Sequence, residues 1–223
     1  MLKPQAGATL VAILIGLVVG LIVLTGGIVF FVNNVSVNRQ ILAASRLDLE
    51  LMSAMDAMAR EIRRAQYIAR AETVRHRVPC ADVFCDGPED FSLTGGDAAS
   101  GFAQIDFSYD RRDQGAGNAQ VQNADECTGF RLRGGAVEMK THCSLDGGWL
   151  PLTDPATTVV TQLKFAVDCT VVSDFYTRTV SVHLSGQLDS DASLSRNLTE
   201  TVVVRTSVAA SSPPAYCRLP ATP

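Results

Sequence analysis

Residues Ala8 to Val32 carry no charge, and Thr9 and Thr25 are the polar side chains among them. At 1.5 Å per residue, about 25 helical residues span roughly 37 Å, enough to cross a hydrocarbon core of about 30 Å. The apolar block does not end in a break. From Val35 to Gln66 there is neither Pro nor Gly, and apolar residues recur at Leu42, Leu49, Met52, Met55, Ala59 and Ile62, the three-and-four spacing of one helix face. Arg39, Arg46, Asp48, Glu50, Arg60, Arg63 and Arg64 are assigned to the opposite, solvated face. Residues 9 to 66 are therefore expected to form a helical rod of roughly 87 Å, apolar all round in its first half and on one side in its second. Such a rod suits a bundle of like neighbours followed by a docked head. Helix-breaking chemistry appears only around Pro79.

Beyond the rod the pattern changes to a period of two. Phe102 to Tyr109 and Phe130 to Arg133 are expected strands, and Ala136 to Lys140 follows Gly134-Gly135, a pair favoured in two-residue hairpin turns. Residues 162–167 and 180–184 alternate cleanly, and Leu198 to Val208 supplies a last strand, with Ser211 to Pro214 as a loop leading to Cys217. Short turns imply antiparallel connections. The expected class is α+β, a ladle of one long N-terminal helix packed on an antiparallel sheet.

The segment before the apolar block narrows the reading. A secretory signal would need a short apolar core and a small-x-small cleavage site, whereas this block is long and leads into Asn33-Asn34-Val35-Ser36. A plain single-pass anchor accounts for the block but not for its flanks. The leader Met1-Leu2-Lys3-Pro4-Gln5-Ala6-Gly7 is short, carries Lys3 and ends in a glycine abutting the apolar run.

Gly7-Ala8-Thr9-Leu10-Val11 resembles the cleavage motif of type IV pilins, whose class III leaders end in glycine before a Thr-Leu-rich apolar helix. Ala8 stands where the family usually has phenylalanine or leucine. Residues 54–67, closing on Ala65-Gln66-Tyr67, resemble the helix end of PilW-like minor pilins and of the related J-type pseudopilins of type II secretion. Residues 149–155, the Arg178-Thr179-Val180 strand and residues 201–205 resemble the PilW-like head. The resemblance implies residues 1–7 as leader, 8–33 as transmembrane and filament-core helix, 34–70 as amphipathic helix entering the head, and 71–223 as a disulfide-bonded β head. It implies cutting between Gly7 and Ala8 by a prepilin peptidase and methylation of Ala8. The implied partners are other minor and major pilin subunits. The chain would cross the bacterial inner membrane once with its head in the periplasm, and later enter an extracellular pilus. It also exposes a departure, because the family usually has glutamate at the fifth mature position, where this chain has Ala12. In the family that carboxylate meets the N-terminal amine of the subunit added just before it, on the tip side, so its absence points to a priming or capping place at the tip. A type II secretion pseudopilin and a tip adhesin are the alternatives.

Six cysteines, all beyond the apolar block, suit disulfides in an oxidising compartment. If Gly134-Gly135 centres a hairpin, Cys127 lies opposite position 142, next to Cys143. Cys80 and Cys85 enclose a short loop, and Cys169 and Cys217 are left to tether the tail; this is one of the many pairings that six cysteines permit. No Cys-x-x-Cys occurs, so a thiolate metal site and a metal cofactor are not expected. His76, His142 and His183 are scattered, and neither Gly-x-Ser-x-Gly nor His-Glu-x-x-His occurs, which argues against an enzyme. The net charge of −4 and the absence of a Lys/Arg run argue against a nucleic-acid partner. Asp189, Asp191, Ser193, Ser195, Asn197 and Glu200 have calcium-loop spacing, but Leu194 stands where that loop needs glycine. A polar turn between strands explains the same residues.

Overall fold

A computed structural model describes residues 10–67, 91–110, 126–143, 148–172, 175–205, 208–209 and 215–217. Helix α1 runs unbroken over Leu10–Ile62, 53 residues. Its polar side chains in the apolar stretch bond back to their own helix: Thr25 Oγ1 donates to Leu21 O at 2.7 Å, and Asn34 Nδ2 to Phe30 O at 2.9 Å. Such back-bonding gives each of these two donors a partner within its own helix, as an apolar medium requires. The chain divides into two units, Met1–Ser45 and Arg46–Pro223.

In the second unit, β1 (Phe91–Thr94), β2 (Gln104–Ser108), β3 (Cys127–Arg133), β4 (Ala136–Lys140) and β5 (Trp149–Pro151) form an antiparallel meander in sequence order. Gly134 and Gly135 turn β3 into β4 with φ of 59° and 79°, a conformation that glycine adopts without a Cβ clash. A second sheet holds β6 (Thr158–Val172), β7 (Phe175–Leu188) and β8 (Ser195–Val203) in that order, with β9 (Val208–Ala209) also pairing β7. The sheets meet along β6: Phe102 and Phe165 exchange backbone hydrogen bonds of 2.8 Å, and Val160 N donates to Gly135 O at 2.8 Å. Sequence alternation located the longer strands but missed β1, β5 and the two-residue β9. The final strand begins earlier than expected, at Ser195, and stops at Val203.

Leu47, Leu51, Ala54, Met55, Met58, Ala59 and Ile62 are buried together with Phe165, Val167, Val180, Val182 and Leu184 of the second sheet and Ile105, Phe107, Phe130 and Val137 of the first. This corrects the expected helix face. Met55, Ala59 and Ile62 point inward, but Leu42, Leu49 and Met52 are exposed. At 3.6 residues per turn, Leu49 and Leu51 lie roughly 160° apart, so only one of them can meet the sheet. Both are apolar, and the pattern alone does not choose between them. The helix sits close on β7 because Gly186 has no side chain; a Cβ there would come within 3.0 Å of Leu51.

Candidate functional site

In the first unit the residues from Leu10 through Val32 are exposed on every side of α1, the large apolar ones from 78% at Leu10 to 45% at Val18. This is the one helix among the described residues long and apolar enough to cross a membrane. Ala12 lies in it, exposed. Gly7 and Ala8 lie outside the described residues, as do Cys80, Cys85 and His76.

In the second unit, Asp48 and Glu50, expected on the solvated face, and also Glu61 hold the helix to the head. Asp48 accepts from Arg196, on β8, at 2.7 Å. Glu50 accepts from Asp154 N at 2.8 Å, Thr158 Oγ1 at 2.7 Å and Thr157 Oγ1 at 3.1 Å, which ties the turn before β6 to the helix. Glu61 accepts from the Tyr109 hydroxyl at 2.6 Å. Glu50 takes three such bonds and Asp48 and Glu61 one each, and together these ties fix the helix in rotation and along its axis.

The helix ends in a lock. Gln66 takes a left-handed backbone, φ 58°, and its N–H donates to Ser108 O at 2.8 Å, while Asp110 N donates to Tyr67 O at 2.8 Å. The Gln66 side chain is buried and accepts from Nη2 of Arg178, itself wholly buried. The guanidinium lies 4.4 Å from the Phe91 ring centroid and 3.5 Å from the Tyr216 hydroxyl. One cation therefore joins the helix end, both sheets and the tail. Sequence reasoning missed this role, although the signal was present: Arg178 shares the inward parity of Val180, Val182 and Leu184.

Cys127 is bridged to Cys143 across the β3–β4 hairpin, with Cα atoms 4.8 Å apart. Cys169 is bridged to Cys217, with Cα atoms 5.4 Å apart. Cys169 stands opposite Arg178 in the β6–β7 register, so this bridge carries Tyr216 onto the buried cation. His142 lies beside Gly148, and the exposed His183 ring meets Thr199 Oγ1 at 3.1 Å. Among the described residues no three His, Cys, Asp or Glu side chains converge as a metal set. The calcium-spaced residues divide between a polar turn, which holds Asp191 and Ser193, and the strand β8 that follows it. Asp191 accepts from the Ser193 hydroxyl at 2.6 Å and the Ser193 N–H at 3.0 Å, and Ser195 and Asn197 lie on β8 with side chains on the opposite face from Glu200.

No curated protein and no solved structure matches the chain. The family described as prepilin peptidase-dependent protein B matches residues 40–204, from within α1 through β8 and beyond it by one residue. The match covers well over half of the chain and contains the helix ties, the buried Arg178 and strands β1 to β8. The chain therefore belongs to this pilin-related family of prepilin peptidase-dependent proteins.

Proposed function

We propose that the chain is a minor pilin, near the PilW-like group, that primes or caps a type IV pilus at its tip. The observation that carries this reading is α1, in which a helix apolar on every side precedes a stretch locked into a folded head by Asp48, Glu50, Glu61 and Gln66. Such a surface is stable in lipid or against other apolar helices, and passing from one to the other is the work of assembly. The family's dependence on prepilin peptidase supports a cut between Gly7 and Ala8, with methylation of Ala8, and a head on the periplasmic side. A Cys80–Cys85 bridge belongs to the same reading. Ala12 supports the tip. A carboxylate in hydrocarbon is costly without a cationic partner, and a subunit with nothing tipward of it has no use for one.

The test is processing followed by position. Mass spectrometry of the mature chain should find an N-methylated Ala8, and Gly7→Val should leave the leader attached. A mature chain starting at Met1, or beyond Phe30, would sink the proposal. Ala12→Glu should bring no gain in assembly and some incorporation along the shaft. Labelling of the unaltered protein all along purified filaments would remove the tip assignment.

A further inference from the structure

Among the described residues, strand β8 ends its sheet on an open edge. Leu188 N donates to Leu194 O at 3.1 Å and Val204 N to Arg178 O at 2.9 Å. In the continuous β7–β8 register, the even-numbered residues of β8 therefore direct their backbone groups at β7. Ser195, Asn197, Thr199, Thr201 and Val203 aim theirs the other way, their side chains are exposed, and among the described residues nothing pairs with that edge. Edges are ordinarily blunted by shortness, Pro, Lys or a bulge. β8 is nine residues long, has neither Pro nor Lys and keeps an unshifted register with β7; its charged residues, Arg196 and Glu200, both lie on the helix-facing side.

The helix supplies a second wall. Asp48 faces β8 through Arg196, and Glu50 faces the start of β6 through Thr158. At about 100° per residue, Met52 falls on the Asp48 side, roughly 40° further towards solvent. It is 51% exposed. The helix-side residues of β8 include Leu198, which is half-buried, and Glu200, whose carboxylate has no ion pair among the described residues.

We propose that the outer edge of β8, flanked by Met52, receives an extended strand from the head of a neighbouring pilin-type subunit. The strand carries a cation opposite Glu200 and an apolar side chain against Leu198 and Met52. Main-chain bonds would supply affinity, and these side chains the choice of partner. The occupant is a different chain rather than a second copy. An antiparallel two-fold centred on Leu198 would set Arg196 against the glutamate of the other copy. However, Asp48 sits at the start of β8, and Arg205 N reaches Arg63 O at 3.5 Å beyond its end. The Arg46–Ile62 segments of two copies would then run in opposite directions, whereas chains rising from one bilayer enter their heads from the same side.

The docking site rests on the pilin reading, and the experiment separates the two. A photoreactive side chain at Thr201, in the full-length chain in its own cells, should give an adduct with another peptidase-processed subunit, at a peptide from one of that subunit's strands. Asn197→Pro removes an outward N–H without touching the β7 ladder. It should cut the adduct about tenfold while both described disulfides still form. Glu200→Lys should weaken the adduct too, and the same probe at His183, inside the sheet, should give none. No adduct, an adduct only with a second copy, or one indifferent to Asn197→Pro overturns the proposal. If processing at Gly7 and filament entry persist in those cases, only the docking site falls; if the leader is never removed, the pilin reading itself fails.

Discussion

Replacing Arg178 tests whether one buried cation holds the head together. Its side chain is wholly buried, donates to Gln66 Oε1, lies 3.5 Å from the Tyr216 hydroxyl and stacks 4.4 Å from the Phe91 centroid. A hydrogen bond from a charged group contributes about 1.5–3 kcal/mol, and a desolvated cation–π contact about 2 kcal/mol. Removing the charge recovers part of its desolvation cost, while truncation adds a cavity term. Arg178→Ala should therefore lose about 4 kcal/mol. Arg178→Met keeps the stem and mainly removes the charged hydrogen bond to Gln66 Oε1, a loss of about 2 kcal/mol. At about 2–4 °C per kcal/mol for a domain of this size, the melting temperature should fall by roughly 12 °C and 6 °C respectively. The assay is thermal unfolding of the full-length chain in detergent, followed by far-UV circular dichroism and by the fluorescence of Trp149, the single tryptophan. Hydrogen exchange at residues 62–67 should rise in both variants. If both melt within about 0.5 kcal/mol of wild type, as surface changes do, the cation is not what joins these parts. A Met variant more stable than wild type would mean that desolvation outweighs its contacts.

Two other outcomes follow from particular contacts. Gly186→Val would drive its side chain into Leu51, with the first added carbon already at 3.0 Å, and should cost about 1–3 kcal/mol by overpacking; unfolding at the wild-type temperature would contradict the close helix–sheet approach. The Ser193 hydroxyl and N–H hold the Asp191 carboxyl below its ordinary range. A lowered native pKa means that the stabilisation is complete above the unfolded value and is lost as pH falls through the native one. Carboxyl NMR should accordingly find a midpoint below the usual aspartate value that moves up in Ser193→Ala, and a midpoint at or above that value would refute the turn.

Much of the fold is local and therefore legible. Absence of charge over Ala8 to Val32, absence of Pro and Gly from Val35 to Gln66, and period-two alternation around residues 162–167 and 180–184 each depend on near neighbours along the chain. The Gly134-Gly135 turn is likewise a local conformational requirement, and it sets the register that brings Cys127 to Cys143. The short strands β1 and β5 escaped notice because three or four residues give alternation too little length to register.

What the sequence by itself determined is where the long helix and the longer strands lie and that the first stretch of helix is apolar all round. Only the tertiary structure decided which side of the second stretch is inside. Leu49 and Leu51 are equally apolar, and Asp48 and Glu50 are equally able to face water, until Gly186 opens a place for Leu51 and Arg196 and Thr158 offer partners to the acids. Arg178 is the sharpest case. A cation in a strand favours solvent unless hydrogen-bond acceptors and ring faces replace its water, and those come from Gln66, Phe91 and Tyr216, residues distant in sequence that only folding assembles.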